Sequence, residues 1–228
     1  MLSRTLKLLK LFLILLIPVL IITAAVRLLA TDQYLAFEYG KESFPSDPFG
    51  FTQQQRFELA SFNIHYVRGH LADSALSNQT LNSTPVYNSR EVTHMADVQS
   101  VFQSVLGVGK IAFILLVLIG YILWQTGERQ ALGEAIRAGG LLTSGFILTI
   151  GLLAVFAWQF WFETFHLFFF QPGSWLFSYS DTLIRLFPVE FWFDATLTIS
   201  ILTLIGGLIM TLIGWQSRIA FENATQTT

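Results

Sequence analysis

Residues 89–98 read "SREVTHMADV", and residues 162–166 read "FETFH". Each stretch sets a histidine three residues from a carboxylate: Glu91 and Asp97 flank His94, and Glu163 precedes His166. On a helix that spacing is one turn, and a carboxylate there can hold an imidazole in one tautomer and raise its basicity. The chain has no cysteine, so thiolate nucleophiles, cysteine-ligated zinc and disulfides are excluded together. It also lacks a Gly-x-Ser-x-Gly elbow, a His-Glu-x-x-His zinc motif and a glycine-rich phosphate loop. Nucleotide use is therefore unsupported, and no cofactor is implied. The chemistry that remains is general acid–base catalysis on a substrate that brings its own nucleophile. A rival reading makes His94, His166 and Asp97 three ligands of a hydrolytic metal with an open position for water. The other two histidines, His65 and His70, lie in a polar stretch and read as solvated.

The elements that must position these side chains are membrane helices. Only 12% of the 228 residues are charged and 53% are hydrophobic, where a soluble domain carries about a quarter charged residues. Four apolar blocks approach the roughly 20 residues that span a bilayer, and in lipid a spanning segment must satisfy its own backbone as a helix. The spans are placed at about 8–30, 105–124, 141–161 and 195–215, in one membrane domain over 1–228. The first block has a basic start and small residues near Ala24, as a signal peptide does, but its apolar run is longer than a signal core and reads as an uncleaved anchor. The net charge of −2 and the absence of a basic run argue against nucleic acid.

Lysine and arginine set the orientation. Arg4, Lys7, Lys10, Arg129, Arg137 and Arg218 sit at the termini and in the loop after the second span. That side is read as cytoplasmic. The long loop at about 31–104 and the connection at about 162–194 then share the outer face, and all four histidines fall there. Asn88 and Glu91 read as a capping box that opens a helix. Met95, Val98, Val101, Phe102 and Val105 form its apolar stripe, which runs toward the second span, with Gly107 and Gly109 as places for a bend. A straight helix would lift His94 roughly 15 Å above the apolar boundary, at 1.5 Å per residue. Residues 52–71 have the periodicity of a further helix. The aromatic connection is read as an interfacial segment that turns at Gln171-Pro172-Gly173, with Asp181 capping a short helix that Pro188 stops. Phe168, Phe169, Trp175 and Phe177 are candidates for the wall of an acyl groove, with interfacial anchoring as their plainer role. Arg185 joins them as a candidate substrate- and lipid-binding residue. Gly140, Ser144, Gly206 and Gly207 could seat helix partners, which a non-enzymatic assembly factor would need, or could close the bundle on itself.

Two segments carry a family resemblance. "REVTHMADVQSVF" (Arg90 to Phe102) and "FHLFFFQPGSWLFSYSDTLIRLFPVEFW" (Phe165 to Trp192) are similar to motifs of the bacterial lipoprotein intramolecular transacylase family. The resemblance implies a multi-pass protein of the bacterial cytoplasmic membrane, with cytoplasmic termini and an extracytoplasmic active site. It also implies acyltransferase activity on a diacylated lipoprotein within the lipid. The sn-2 acyl chain of the diacylglyceryl-cysteine would move to the α-amine, giving the lyso form, N-acyl S-monoacylglyceryl. The two family histidines fall on His94 and His166, with Glu91, Asp97 and Asp181 beside them as orienting groups. Such a substrate holds both amine and ester, so no enzyme nucleophile is required. One imidazole takes the ammonium proton and the other serves the leaving oxygen or the oxyanion. His94 is placed as base and His166 as acid, and the reverse is nearly equivalent.

Overall fold

The computed structural model describes residues 4–226, and side chains over 4–217; Arg218, used above for orientation, lies outside the described side chains. Eight helices and one small hairpin follow in order among the described residues: α1 (Arg4–Leu29), α2 (Asp32–Tyr39), α3 (Gln53–Val67), β1 (Thr80–Leu81), β2 (Thr84–Pro85), α4 (Ser89–Gln125), α5 (Arg129–Phe156), α6 (Trp158–Phe169), α7 (Thr182–Leu186) and α8 (Val189–Gln226). Four of them are long and apolar enough to cross a membrane: α1, α4, α5 and α8 over Val189–Ser217. Each carries outward-facing large apolar residues, such as Ile111 and Ile114 on α4, as lipid contact requires.

The chain divides into two compact units. The first comprises residues 1–26, 107–152 and 198–228. Small residues let its helices approach. A Cβ on Gly139 would stand 2.5 Å from Ile17, and one on Gly206 would stand 2.8 Å from Ile21. At the α5–α8 contact, a Cβ on Gly140 would lie 2.5 Å from the Gly207 carbonyl and 2.6 Å from the Thr211 amide. The small residues over 140–144 and 206–207 therefore close the bundle on itself. The opening of α5 joins the core here: Ala131 and Ala135 are buried with Leu6, Leu13, Ile119 and Leu123. That burial is why α5 starts at Arg129 rather than 141. Lys10 pairs with Glu134 across the same contact. Gly140→Ala is expected to lower the stability of this bundle by about 1–3 kcal/mol, because backbone atoms cannot yield to the added methyl. Thermal unfolding in detergent checks this against Gly145→Ala, whose new methyl meets nothing within 4 Å and should leave the transition in place.

The second unit comprises residues 27–106 and 153–197 and carries every histidine. The long first loop is more than a polar excursion. It folds into α2, α3 and the hairpin around a core of its own, including Leu35, Tyr66, Leu76, Met95 and Leu186. Thr52 and Gln55 form a reciprocal capping box at the start of α3. Buried polar groups of this loop tie it to α7. Tyr39 donates its hydroxyl proton to the Leu186 carbonyl (2.7 Å), and Arg56 donates to the Arg185 carbonyl (2.9 Å). Gln99 and Gln103 of α4 hold the last carbonyls of α3, at Tyr66 and Val67.

One expected span is divided. The run 141–161 reads as a single apolar helix, but the backbone leaves helical geometry at Ala157 (φ −144°, ψ 50°) and α6 begins at Trp158. No glycine or proline marks the break. Aromatic contacts redirect the chain there: Trp158 packs edge-on against Phe193 at 5.3 Å and lies 5.5 Å from Phe162.

Candidate functional site

The capping box at the head of α4 is present. The Asn88 amide donates to Glu91 Oε2 (2.9 Å), and the Glu91 amide donates back to Asn88 Oδ1 (3.1 Å). α4 then continues unbroken past Gly107 and Gly109. The next turn after Glu91 carries His94, which is 8% exposed. His94 packs against Phe170 (ring centroids 4.9 Å) and Phe177 (5.4 Å), both tilted steeply. Its Nδ1 is buried and has no hydrogen-bond partner among the described residues.

His166 stands on α6 one turn after Phe162, and Phe170, four positions on, closes the helix in an extended conformation. The rings lie 4.1 Å and 5.7 Å from the imidazole. Trp175, brought back by the next turn, lies 4.6 Å away. That turn falls at Gln171-Pro172-Gly173, with the Ser174 amide on the Gln171 carbonyl (3.1 Å). Gly173 takes the left-handed φ of +83° that the turn demands. His166 Nδ1 lies 2.7 Å from the Phe162 carbonyl oxygen. A carbonyl only accepts, so Nδ1 carries the proton and Nε2 is the basic nitrogen. Burial, the largest influence, holds the His166 imidazole below its ordinary value, and the Phe162 carbonyl only partly offsets this.

Phe170 therefore touches both imidazoles. Its ring is shared between a histidine of α4 and one of α6. No single residue of the sequence motif announces that role, and Phe170 lies just past the end of α6, where helical spacing no longer reads its direction.

The flanking carboxylates do other work. Glu91 is 1% exposed and does not reach His94; beyond Asn88, its Oε1 accepts from the Leu183 amide (2.7 Å) in the first turn of α7. Asp181 occupies the N-cap position of α7, but its side chain does not cap it. It accepts instead from the Ser178 amide (2.8 Å) and from the Asn88 side chain (3.2 Å). Glu91, reaching across from α4, takes over the capping. Glu163 is exposed and accepts a hydrogen bond from Gln159. Asp97 is exposed on α4. Among the described residues no three histidine, aspartate or glutamate side chains cluster as a metal would need, so the trio His94, His166 and Asp97 is not assembled.

Of the candidate groove residues, Trp175 and Phe177 each touch an imidazole. Phe168 is 80% exposed, and Phe169 packs on Phe165, Phe168 and Phe170. Arg185 is engaged within the protein. It makes a two-point bond to Asp47 (3.0 and 2.8 Å) and lies over the Phe51 ring at 3.5 Å. His65 pairs with Asp32 at 2.9 Å and meets His70 edge-on, well apart from this cluster in role. Arg90, not singled out by its sequence, lies over Phe177 and donates to the Leu176 carbonyl. It fixes the strand of chain between Trp175 and Phe177.

Four helices long and apolar enough to cross a membrane and a pair of imidazoles packed among aromatic rings are the marks of an integral membrane protein. A family model described as lipoprotein intramolecular transacylase Lit matches residues 11–192. The chain belongs to the lipoprotein intramolecular transacylase family, and is thus an enzyme of the acyltransferase class. An uncharacterized protein of Aquifex aeolicus is 29% identical over 210 residues, covering 91% of this chain and 94% of the relative. The solved structure of the membrane-integral transacylase Lit from Bacillus cereus superimposes with a TM-score of 0.76 at 18% identity, over 97% of this chain and 99% of that one. A second structure of that protein, with a histidine replaced by alanine, matches with a TM-score of 0.58 at 16% identity, over 99% and 97% of the two chains. These likenesses carry the fold.

Proposed function

We propose that this chain moves the sn-2 acyl chain of a diacylglyceryl-cysteine lipoprotein onto the α-amine of the same cysteine, on the outer face of the bacterial cytoplasmic membrane. The observation that carries the reading is the Phe170 ring packed on both His94 and His166. An ester that displaces this ring lies within reach of both imidazoles.

The fixed tautomer of His166 favours it as the base, with its Nε2 lone pair turned to the substrate. The α-ammonium, with an ordinary pKa of about 7.7 to 8.0, gives up a proton to Nε2. The amine attacks the ester carbonyl carbon; a C–N bond forms and the carbonyl electron pair moves to oxygen. When the pair returns, the C–O bond to glycerol breaks. His94 takes the second proton that the nitrogen sheds and, as imidazolium, gives a ring proton to the departing glycerol oxygen, which returns it to the neutral form. One proton leaves through His166 for each turnover. Because amine and ester belong to one molecule, the enzyme's further task is to hold the medium-sized ring closed, which supplies several kcal/mol through orientation. Phe177 and Trp175 border the imidazoles where the acyl chain would lie. The first loop and the aromatic connection form the outer, interfacial part of the molecule in this reading, by the placement of lysine and arginine.

Expression in cells whose lipoproteins await N-acylation tests the activity. The product is an isomer of the substrate, so tandem mass spectrometry must show the acyl group on nitrogen. Glycerol that keeps both chains removes the proposal.

The pH dependence has a defined sign. His166 acts as a base only when neutral, and its folded value lies below the ordinary 6.5. Turnover of bound substrate should keep its enzyme-dependent acid limb below about pH 6.5. Folding responds in step. The unfolded chain takes up a proton at His166 near pH 6.5 that the folded chain refuses until lower pH, so stability falls as pH drops below about 6.5. Parallel rate and thermal-unfolding profiles check both, and an acid limb above pH 7 that His166→Gln leaves unmoved contradicts the assignment.

A further inference from the structure

The cluster holds a second buried polar atom besides His94 Nδ1. Trp175 Nε1 is buried and has no hydrogen-bond partner among the described residues. An indole N–H only donates, so what it lacks is an acceptor. The rings packed on the indole, Phe162 at 6.1 Å and His166 at 4.6 Å between centroids, offer it no bonded acceptor. The segment that carries the indole is held at both ends. The Leu176 amide bonds the Gly173 carbonyl (3.3 Å), and Arg90 grips the Leu176 carbonyl. The indole is thus fixed in place, with its ring 4.6 Å from that of His166 and inclined to it by only 36°.

We propose that Trp175 is a catalytic residue whose indole N–H hydrogen-bonds the oxyanion formed on the ester carbonyl oxygen. The inference rests on the reading that this cluster performs the acyl transfer. Attack by the amine creates one new strong acceptor, the former carbonyl oxygen, beside the imidazole that activated the amine. The proton stays on the indole throughout; the electron pair moves from the C=O bond onto oxygen and returns as the C–O bond to glycerol breaks. Apolar rings surround the site, and a fixed donor is worth most in such surroundings. A neutral ester carbonyl accepts weakly and the oxyanion strongly, so the contribution falls on the transition state rather than on binding.

The test replaces Trp175 in the full chain by 3-benzothienylalanine, which keeps the ring shape and puts sulfur where the N–H stood. Trp175→Phe and His166→Ala are measured beside it on a synthetic diacylglyceryl-cysteine lipopeptide in bilayers. The expected result for the sulfur isostere is a fall in kcat of about 10²–10³-fold with KM within about threefold of wild type. Full activity of the isostere overturns the inference, whether or not Trp175→Phe is impaired, since the ring alone then suffices. His166→Ala separates the levels. If that variant is inactive while the isostere is active, the indole has no such role and the acyl-transfer reading stands; if it is fully active, that reading itself has failed.

Discussion

His166→Ala and His94→Ala are each expected to slow acyl transfer by about 10²–10⁴-fold, the range that a positioned acid or base supplies. The two losses should not add if, as proposed, both groups act on one proton-transfer sequence; the double variant should fall little below the worse single one. Residual activity should persist, since orientation of the amine against the ester does not depend on either proton. His94 is buried among rings, so its removal also leaves a cavity. Glutamine at either position restores bulk and hydrogen bonding without a titrating group, and should rescue thermal stability but not rate. Initial rates of N-acyl lipopeptide formation beside thermal unfolding separate the two effects. Wild-type rates in a folded glutamine variant would remove that residue from the mechanism.

Breaking the Asp47–Arg185 pair is the second large expected effect, and it falls on stability. The Asp47 side chain is fully buried and that of Arg185 is 12% exposed. Asp47 also accepts from the Phe51 amide at 2.7 Å. Asp47→Ala leaves a buried guanidinium without its counter-charge, which costs about 3–5 kcal/mol. The double variant Asp47→Leu with Arg185→Met removes both charges and should lose distinctly less. Burial, the largest influence on Asp47, works to raise its carboxyl, but the Arg185 bonds and the Phe51 amide outweigh it and hold it below the usual range. The pair's contribution is therefore present above about pH 4 and is lost as pH falls through the depressed folded value. Unfolding in detergent at neutral and acid pH reads this out. An Arg185→Met variant with an unchanged transition but a raised KM would instead return Arg185 to the substrate-binding group.

What the sequence made legible was local. The Asn88–Glu91 box, the helix at 53–67, the turn at Gln171-Pro172-Gly173 and the stop at Pro188 all follow from residues within a few positions of each other. The four spans followed from composition. The two motif histidines were visible as types, and the structure sets both against Phe170. What stayed hidden depends on distant partners. Glu91 looks like an orienting group for His94, yet its second oxygen serves Leu183, 92 positions away. Arg185 looks like a lipid-facing cation because Asp47, 138 positions away, gives no hint of pairing with it. The break at Ala157 carries no glycine or proline, and the aromatic contacts that enforce it come from α8. Asp97 shares a helical turn with His94 but faces outward, because one turn of spacing fixes proximity along the axis and not which rings fold over it.

The central claim is that the acyl group travels within one molecule, under two imidazoles, without release. A crossover experiment tests this most directly. The purified chain in bilayers is given two lipopeptides of different peptide mass, only one of which has an isotopically labelled sn-2 acyl chain. The account predicts the label on the α-nitrogen of the peptide that began with it, and none on the other. Label on the second peptide's nitrogen, or released as free fatty acid, would contradict it.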